Sequence, residues 1–187
     1  MDRIITPLAS LTVLLMLLTL AVGLWLGTGD IRDPADTAAR SWFRLHFLLG
    51  VATGLAVVLV NSIAVIYFIG TGRWCKEVVQ TYSLDPNIVA RSAHLKRQAF
   101  PYALVNMLLI VGVLALGGVA DPGGSVRVAS PGGLSWGQWH FLAAAASLAI
   151  IAYAYFALWH LIREHQVIIR EVLGHVERIR RERGLPV

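Results

Sequence analysis

The stretch SWFRLHFL at residues 41–48 recurs without a gap as SWGQWHFL at residues 135–142. The two copies share serine, tryptophan, histidine, phenylalanine and leucine, and the same shift of 94 residues also aligns Gly23 with Gly117. Tryptophan and histidine are uncommon residues, so their shared spacing is hard to ascribe to chance. The sequence therefore predicts a tandem duplication.

The composition places both copies in a membrane. The chain has 187 residues, of which 57% are hydrophobic and 14% charged, against about 45–50% and about 25% in an average soluble domain. Four long windows contain no Asp, Glu, Lys or Arg, and about 20 apolar residues suffice to cross a bilayer core. These features exclude a water-soluble globule and predict membrane-spanning helices at residues 4–26, 45–69, 100–119 and 138–162.

The repeat and the spans together predict the architecture. Spans one and two form one helical hairpin and spans three and four the other. Because two spans separate the copies, both hairpins have the same orientation and are related by an axis along the membrane normal. We expect an all-α integral membrane protein in which residues 1–160 form a four-transmembrane-helix bundle, with hairpin repeats at about residues 1–69 and 95–160.

The distribution of basic residues predicts the orientation. Twelve of the sixteen lysines and arginines lie in the N-terminal segment, the loop 70–99 and the tail 161–187, which are all at the same end of the spans. Positively charged residues are retained on the cytoplasmic side. We therefore predict that both termini and the loop 70–99 are cytoplasmic and that the protein lies in the inner membrane of a bacterium. The same topology accounts for the sequence pI of about 9.9 without invoking nucleic acid.

Two cytoplasmic segments are predicted to be helical. In the loop 70–99, Asp85 followed by Pro86 is typical of a helix start, so we expect two short helices there, with Gly70-Thr71-Gly72 ending the second span. Residues 161–187 form an amphipathic tail. This tail either extends the fourth helix, lies on the membrane surface or packs against a partner subunit.

Two histidines stand out among the few polar residues of the spans. His46 and His140 occupy the same position in the two repeats, near the outer ends of spans two and four. Each is followed one helical turn later by a small residue, Gly50 or Ala144. Polar side chains in membrane helices usually face the bundle interior. We therefore expect the two imidazoles to face each other.

A pair of facing imidazoles is what a b-type haem requires as axial ligands. The iron takes one neutral imidazole on each side of the macrocycle. Gly50 and Ala144 would leave room for the edge of the ring, and Arg44 could pair with a propionate or simply extend to the membrane boundary. This arrangement resembles the membrane-anchor cytochromes that exchange electrons with quinones. It predicts one haem b, with His46 and His140 as axial ligands of its iron.

Plainer interpretations of the same residues remain open. Each histidine could bond to a backbone carbonyl or to water, or the pair could form a metal or proton site. Gly50 and Gly54 form a small-xxx-small pattern typical of close helix packing. Asn61 and Asn106 are expected to hydrogen-bond between helices.

The other histidines are not assigned to this site. His160 is predicted to face elsewhere, at the opposite membrane surface. The cytoplasmic histidines, His94, His165 and His175, are expected to face solvent or lipid phosphates.

These residues favour a protein without catalytic activity of its own. The single cysteine excludes an intramolecular disulfide, and no segment outside the spans is long enough for a soluble catalytic domain. The first hypothesis is an electron-transfer subunit that links the quinone pool to a larger redox complex. The second is a cofactor-free structural or assembly subunit of a respiratory or photosynthetic membrane complex. A transporter finds support only in the parallel repeat.

Overall fold

The computed structural model describes residues 2–26, 36–121, 123 and 128–186, and all regular structure within them is helical. Each of the four long helices is long and apolar enough to cross a membrane, which confirms the four predicted spans as helices. They are α1 (Asp2–Leu26), α2 (Thr37–Thr81), α3 (Asn87–Ala120) and α4 (Trp136–Glu182), and a short 3-10 helix at Pro131–Gly133 precedes α4.

The helices pack around a central pair. α2 and α4 contact each other, and α1 and α3 each pack against both of them. Among the described residues α1 and α3 do not contact each other. They therefore lie on opposite flanks of the α2/α4 pair, and any group between α2 and α4 lies on the axis of the bundle.

Side-chain caps fix where α2 and α4 begin. The Asp36 carboxylate accepts a hydrogen bond from the backbone N–H of Ala39 at 2.8 Å, and Ser135 forms a reciprocal capping box with Gln138. Ser41, the repeat counterpart of Ser135, lies inside α2, where its hydroxyl bonds to the Thr37 carbonyl. The repeated motif therefore opens α4 but begins one turn inside α2.

Three helices extend well past the length that a bilayer needs. α2 has 45 residues and α4 has 47, which at about 1.5 Å per residue exceeds twice the thickness of a hydrocarbon core of about 30 Å. We call the additional part the stalk: α2 from residue 70, α3 up to residue 99 and α4 from residue 163. Its buried residues are mostly apolar, with the polar Ser92 and His165 among them: Cys75, Val79, Ile88, Ser92, Leu95, Ala99, His165, Ile168 and Val172.

The stalk corrects two predictions. Gly70-Thr71-Gly72 does not end a helix, and residues 70–99 are not two separate short helices but the continuous ends of α2 and α3. A Cβ at Gly72 would lie 3.7 Å from the Ser92 hydroxyl, so α3 packs close to α2 at this point, and such tertiary contact outweighs the weak helix propensity of glycine. Asp85 and Pro86 do mark a helix start, because α3 begins at Asn87.

The C-terminal tail continues α4 without interruption to Glu182, which is the first of the three alternatives for it. Ile168 and Val172 are buried, at 3% and 0% exposure. Arg91 of α3 pairs with Glu171 of α4 at 3.0 Å. The predicted boundary between residues 160 and 161 therefore falls within one helix.

Candidate functional site

His46 of α2 and His140 of α4 face each other across the bundle axis. The centroids of their rings are 6.1 Å apart, and the ring planes are nearly perpendicular, at 87°. The two residues were expected to meet because they occupy equivalent repeat positions, and the structure brings them together.

Each imidazole is held by a flanking helix in the same way. His46 Nδ1 lies 3.1 Å from the backbone carbonyl of Thr19 in α1, and His140 Nδ1 lies 3.1 Å from that of Val113 in α3. A carbonyl oxygen can only accept a hydrogen bond, so both Nδ1 atoms carry a proton. In the neutral tautomer the lone pair is then on Nε2. In neither ring does Nε2 make a hydrogen bond to the part of the chain that the structure describes.

Two glycines that the sequence analysis did not assign to the site lie against these rings. A Cβ at Gly23 would lie 2.8 Å from His46 Cε1, and one at Gly117 would lie 3.1 Å from His140 Cε1. A side chain at Gly23 would displace the imidazole of His46, and one at Gly117 would require His140 to shift by a few tenths of an ångström. The signal was present in the sequence, because the repeat aligns these two glycines, but nothing in the alignment pointed to the histidines as their neighbours.

The other predicted site residues are less closely placed. The position of a Cβ on Gly50 is 4.0 Å from Leu114 of α3, and that on Gly54 is only 2.6 Å from the same side chain. These glycines thus allow α2 and α3 to approach closely, as the packing interpretation expected. Ala144 is half-buried and Arg44 is exposed.

A second polar layer lies near the middle of the bundle. Asn106 of α3 donates to the Asn61 side-chain oxygen at 3.1 Å, which confirms the expected interhelical bond, and Asn61 donates to the Tyr155 hydroxyl at 3.4 Å. Tyr155 in turn interacts with Thr12 of α1. All four helices contribute to this layer, which links both flanks of the bundle to the central pair.

His165 contradicts the prediction that it faces solvent or lipid phosphates. It is 0% exposed, its Nε2 is 2.8 Å from the Ser92 hydroxyl, and its Nδ1 is 3.2 Å from the Tyr67 hydroxyl. The sequence did contain a signal, because His165 falls on the helical stripe of Leu161 and Ile168. By contrast His94 is exposed, as predicted, and His175 is half-buried.

Contacts along the axis follow the repeat shift. Three pairs of contacting side chains are each 94 residues apart in the sequence: Asn61 with Tyr155, Thr71 with His165, and His46 with His140. This spacing equals the shift of the predicted repeat. α2 and α4 therefore face each other with the same stripe.

The donor set limits what the site could hold. Within the described residues there is no group of three or more His, Cys, Asp or Glu side chains that could bind a bare metal ion. Two imidazoles suffice for a haem, because its macrocycle supplies the remaining ligands of the iron.

Comparison with known proteins gives no match to a family model, a curated protein or a solved structure.

Proposed function

We propose that the protein is a membrane electron-transfer subunit that holds one b-type haem between His46 and His140. The observation that carries the proposal is that both imidazoles donate through Nδ1 to a backbone carbonyl and keep Nε2 for a ligand. Histidines that bind metals almost always have such a second partner, which fixes the tautomer and the orientation of the ring.

The spacing of the two rings fits the group. Two imidazoles that would share one metal ion through their Nε2 atoms, at about 2.0 Å each, would have ring centroids about 6 Å apart. The two rings are 6.1 Å apart at their centroids. The hydrogen bonds to the carbonyls of Thr19 and Val113 would hold the two ring planes at their perpendicular angle.

The residues around the rings have distinct roles in this proposal. His46 and His140 bind the group, the carbonyls of Thr19 and Val113 orient them, and the absence of side chains at Gly23 and Gly117 leaves space for the rings. When bound, the haem supplies reversible one-electron transfer. Gly50, Ala144 and Arg44 would lie closest to its periphery.

The proposal also includes the orientation of the protein in the membrane and its redox partners. The chain is a tandem duplicated hairpin with both termini in the cytoplasm, in a bacterial inner membrane, as the excess of basic residues at one end supports. It exchanges electrons with the quinone pool at the outer half and with a larger redox complex. Reporter fusions at residues 30 and 187 test the orientation: alkaline phosphatase should be active only at residue 30.

Visible spectroscopy tests the cofactor. The protein is purified from cells supplied with haem, and oxidised and dithionite-reduced spectra are compared for wild type, His46→Ala, His140→Ala and the exposed control His160→Ala. Wild type and His160→Ala should show the bands of a six-coordinate b-type haem, and both site variants should lose them. Absence of haem bands in wild type, or their retention in both site variants, contradicts the proposal.

The second candidate function is a cofactor-free structural or assembly subunit of a respiratory or photosynthetic membrane complex. It is favoured by the close contact of Gly54 with Leu114, a feature of tightly packed helices. Extraction in a mild detergent distinguishes the two. An assembly subunit should be recovered colourless and bound to larger partners, whereas a haem-free chain recovered alone contradicts both functions.

A further inference from the structure

An open cavity of about 320 Å³ lies on α4 at the end of the fourth predicted span, and we call it the α4 cavity. Its volume falls within the range of about 300–1,000 Å³ that is typical of small-molecule sites. Its lining is polar and charged apart from one valine: His160, Arg163, Glu164, Gln166, Val167 and Arg170. Neither of the two arginines pairs with a carboxylate in the described part of the chain. The α4 cavity therefore presents two cationic side chains to an anion.

Aromatic side chains hold Arg163 in place at the edge of this cavity. Its guanidinium carbon lies 4.8 Å from the centroid of the Trp159 ring, which is a cation–π contact. Phe156 stacks on Trp159 at 6.1 Å, and the His160 ring packs edge-on against both of them, at 4.5 and 4.7 Å. A guanidinium that is already ordered loses less entropy when it binds, and its planar donors match the oxygens of a phosphate.

The tryptophans of α4 indicate the depth of the cavity in the membrane. Trp139 and Trp159 are 20 residues apart, which is about 30 Å along a helix and equals the thickness of a hydrocarbon core. Tryptophan rings are enriched at the two membrane boundaries. The headgroup layer adds about 5–7 Å on each side, and Arg163 follows Trp159 by about 6 Å. Arg170 lies further out, but helical side chains lean toward the N-terminus, which for this part of α4 is toward the membrane.

On the membrane side of the cavity, the same face of α4 is apolar and exposed. Tyr153 and Phe156 precede His160 at helical spacing, and they are 63% and 58% exposed. A soluble anion would make no contact with these side chains, whereas the acyl chains of a phospholipid would lie along them. The chemistry that fits both parts of this face is therefore a phosphate attached to acyl chains.

We propose that the α4 cavity binds the phosphate of an anionic phospholipid through Arg163 and Arg170, with the acyl chains along Tyr153 and Phe156. This inference requires that α4 crosses the membrane, but it is independent of any haem and of the side on which the termini lie. The first half of the predicted repeat has no such site, because Ile66 and Ile69 of α2 occupy the positions equivalent to His160 and Arg163.

A neighbouring cavity between α3 and α4 is less suited to an anion. Its volume is about 480 Å³, and its lining includes Arg91 and His94. Arg91, however, donates to both carboxylate oxygens of Glu171, at 3.2 and 3.0 Å. An anion in that cavity would have to displace this carboxylate, whereas the arginines of the α4 cavity have no carboxylate to exchange.

Native mass spectrometry of the full chain in detergent tests the proposal, because it resolves each bound lipid. The delipidated protein is titrated with dioleoylphosphatidylglycerol, and the dissociation constant of the first lipid is measured. Arg163→Gln and Arg170→Gln should each weaken binding about fivefold. The matched control Arg73→Gln removes the same charge from an exposed arginine outside the cavity, and it should change the affinity by less than about twofold. Equal losses in all three variants would indicate attraction to the net charge alone and overturn the proposal.

Three further substitutions in α4 test the cavity itself. Val167→Glu places a carboxylate in the lining and should weaken binding at least about fivefold. Leu173→Glu is the matched control, because Leu173 is outside the lining and is 50% exposed against 51% for Val167. Glu164→Gln removes the acidic residue of the lining and should tighten binding about twofold, a gain that a loss of folded structure cannot produce. If Val167→Glu and Leu173→Glu have the same effect, the cavity is not the binding site.

The choice of ligand tests which chemistry the cavity recognises. Dioleoylphosphatidylcholine has the same acyl chains and a phosphate but no net charge, and it should bind at least about fivefold more weakly. Inorganic phosphate in molar excess should not displace phosphatidylglycerol, because it makes no contact with Tyr153 and Phe156. Equal affinity for the two lipids overturns the proposal, and displacement by phosphate would assign the cavity to a soluble anion instead of a lipid.

Discussion

Gly23 and Gly117 are the positions where the addition of a single carbon atom should disturb the histidine pair most. In Gly23→Ala the new Cβ would lie 2.8 Å from His46 Cε1, and the ring cannot move without losing its bond to the Thr19 carbonyl. We expect Gly23→Ala to cost about 1–3 kcal/mol of unfolding free energy and to abolish haem binding. Gly117→Ala should have a smaller effect, because its contact is longer, at 3.1 Å.

Thermal unfolding in detergent and the haem content per chain measure this prediction. Gly112→Ala is the matched control, because no atom lies within 4 Å of a Cβ at that helical position. This control should be neutral or slightly stabilising, since alanine favours helix over glycine. If Gly23→Ala behaves like Gly112→Ala, the close contact between Gly23 and His46 is not a constraint on the protein.

His165 is the second residue whose replacement should be costly. His165→Ala removes a fully buried ring and leaves the hydroxyls of Ser92 and Tyr67 without this partner, which should destabilise the protein by about 2–3 kcal/mol. The exposed His94→Ala should change the unfolding free energy by less than about 0.5 kcal/mol.

At the scale of helix pairs, Asn61 and Asn106 join α2 to α3. Asn61→Leu leaves the Asn106 amide without its acceptor, and the buried Asn106 Oδ1 already lacks a hydrogen-bond partner in the described structure. The double variant Asn61→Leu/Asn106→Leu should therefore be more stable than Asn61→Leu alone. A double-mutant cycle on unfolding in micelles should give a coupling of about 0.5–2 kcal/mol. Zero coupling would show that the bond does not hold these helices.

The sequence predicts the four helices and the histidine pair for physical reasons. A bilayer demands about 20 consecutive apolar residues, so spans are visible in composition alone. A repeat places equivalent residues symmetrically, so His46 predicts the position of His140. The continuation of α2 beyond Gly72 is not visible in this way, because it depends on the contact with Ser92, which is distant in sequence.

The residues that contact the two histidines could not be predicted from the sequence either. Gly23 and Thr19 belong to a different helix from His46, and the rotation of α1 about its own axis decides which of its groups meet the ring. Hydrophobic periodicity in a span that is apolar all round does not fix that rotation. His165 differs in this respect, because it lies on the apolar stripe of α4 and was assigned to solvent or lipid phosphates only because its segment is rich in arginine.

For the whole molecule, the contacts between the two hairpins are the decisive feature. α2 packs against α3 and α4, and α1 packs against α4, so neither hairpin buries its central helix alone. The polar layer of Asn61, Tyr155, Asn106 and Thr12 also needs both halves. A fold of this kind should assemble from separate halves, since membrane hairpins insert before they associate.

We therefore expect that residues 1–84 and 85–187, produced as two chains by a break in the turn between α2 and α3, co-purify in equal amounts. The matched control is Ala64→Phe in the first half, because Ala64 is 1% exposed and a larger side chain there would force α2 away from its neighbours. Affinity purification through a tag on one half measures the association. If each half instead purifies alone as a stable monomer, the hairpins are independent units and the site between His46 and His140 does not require their union.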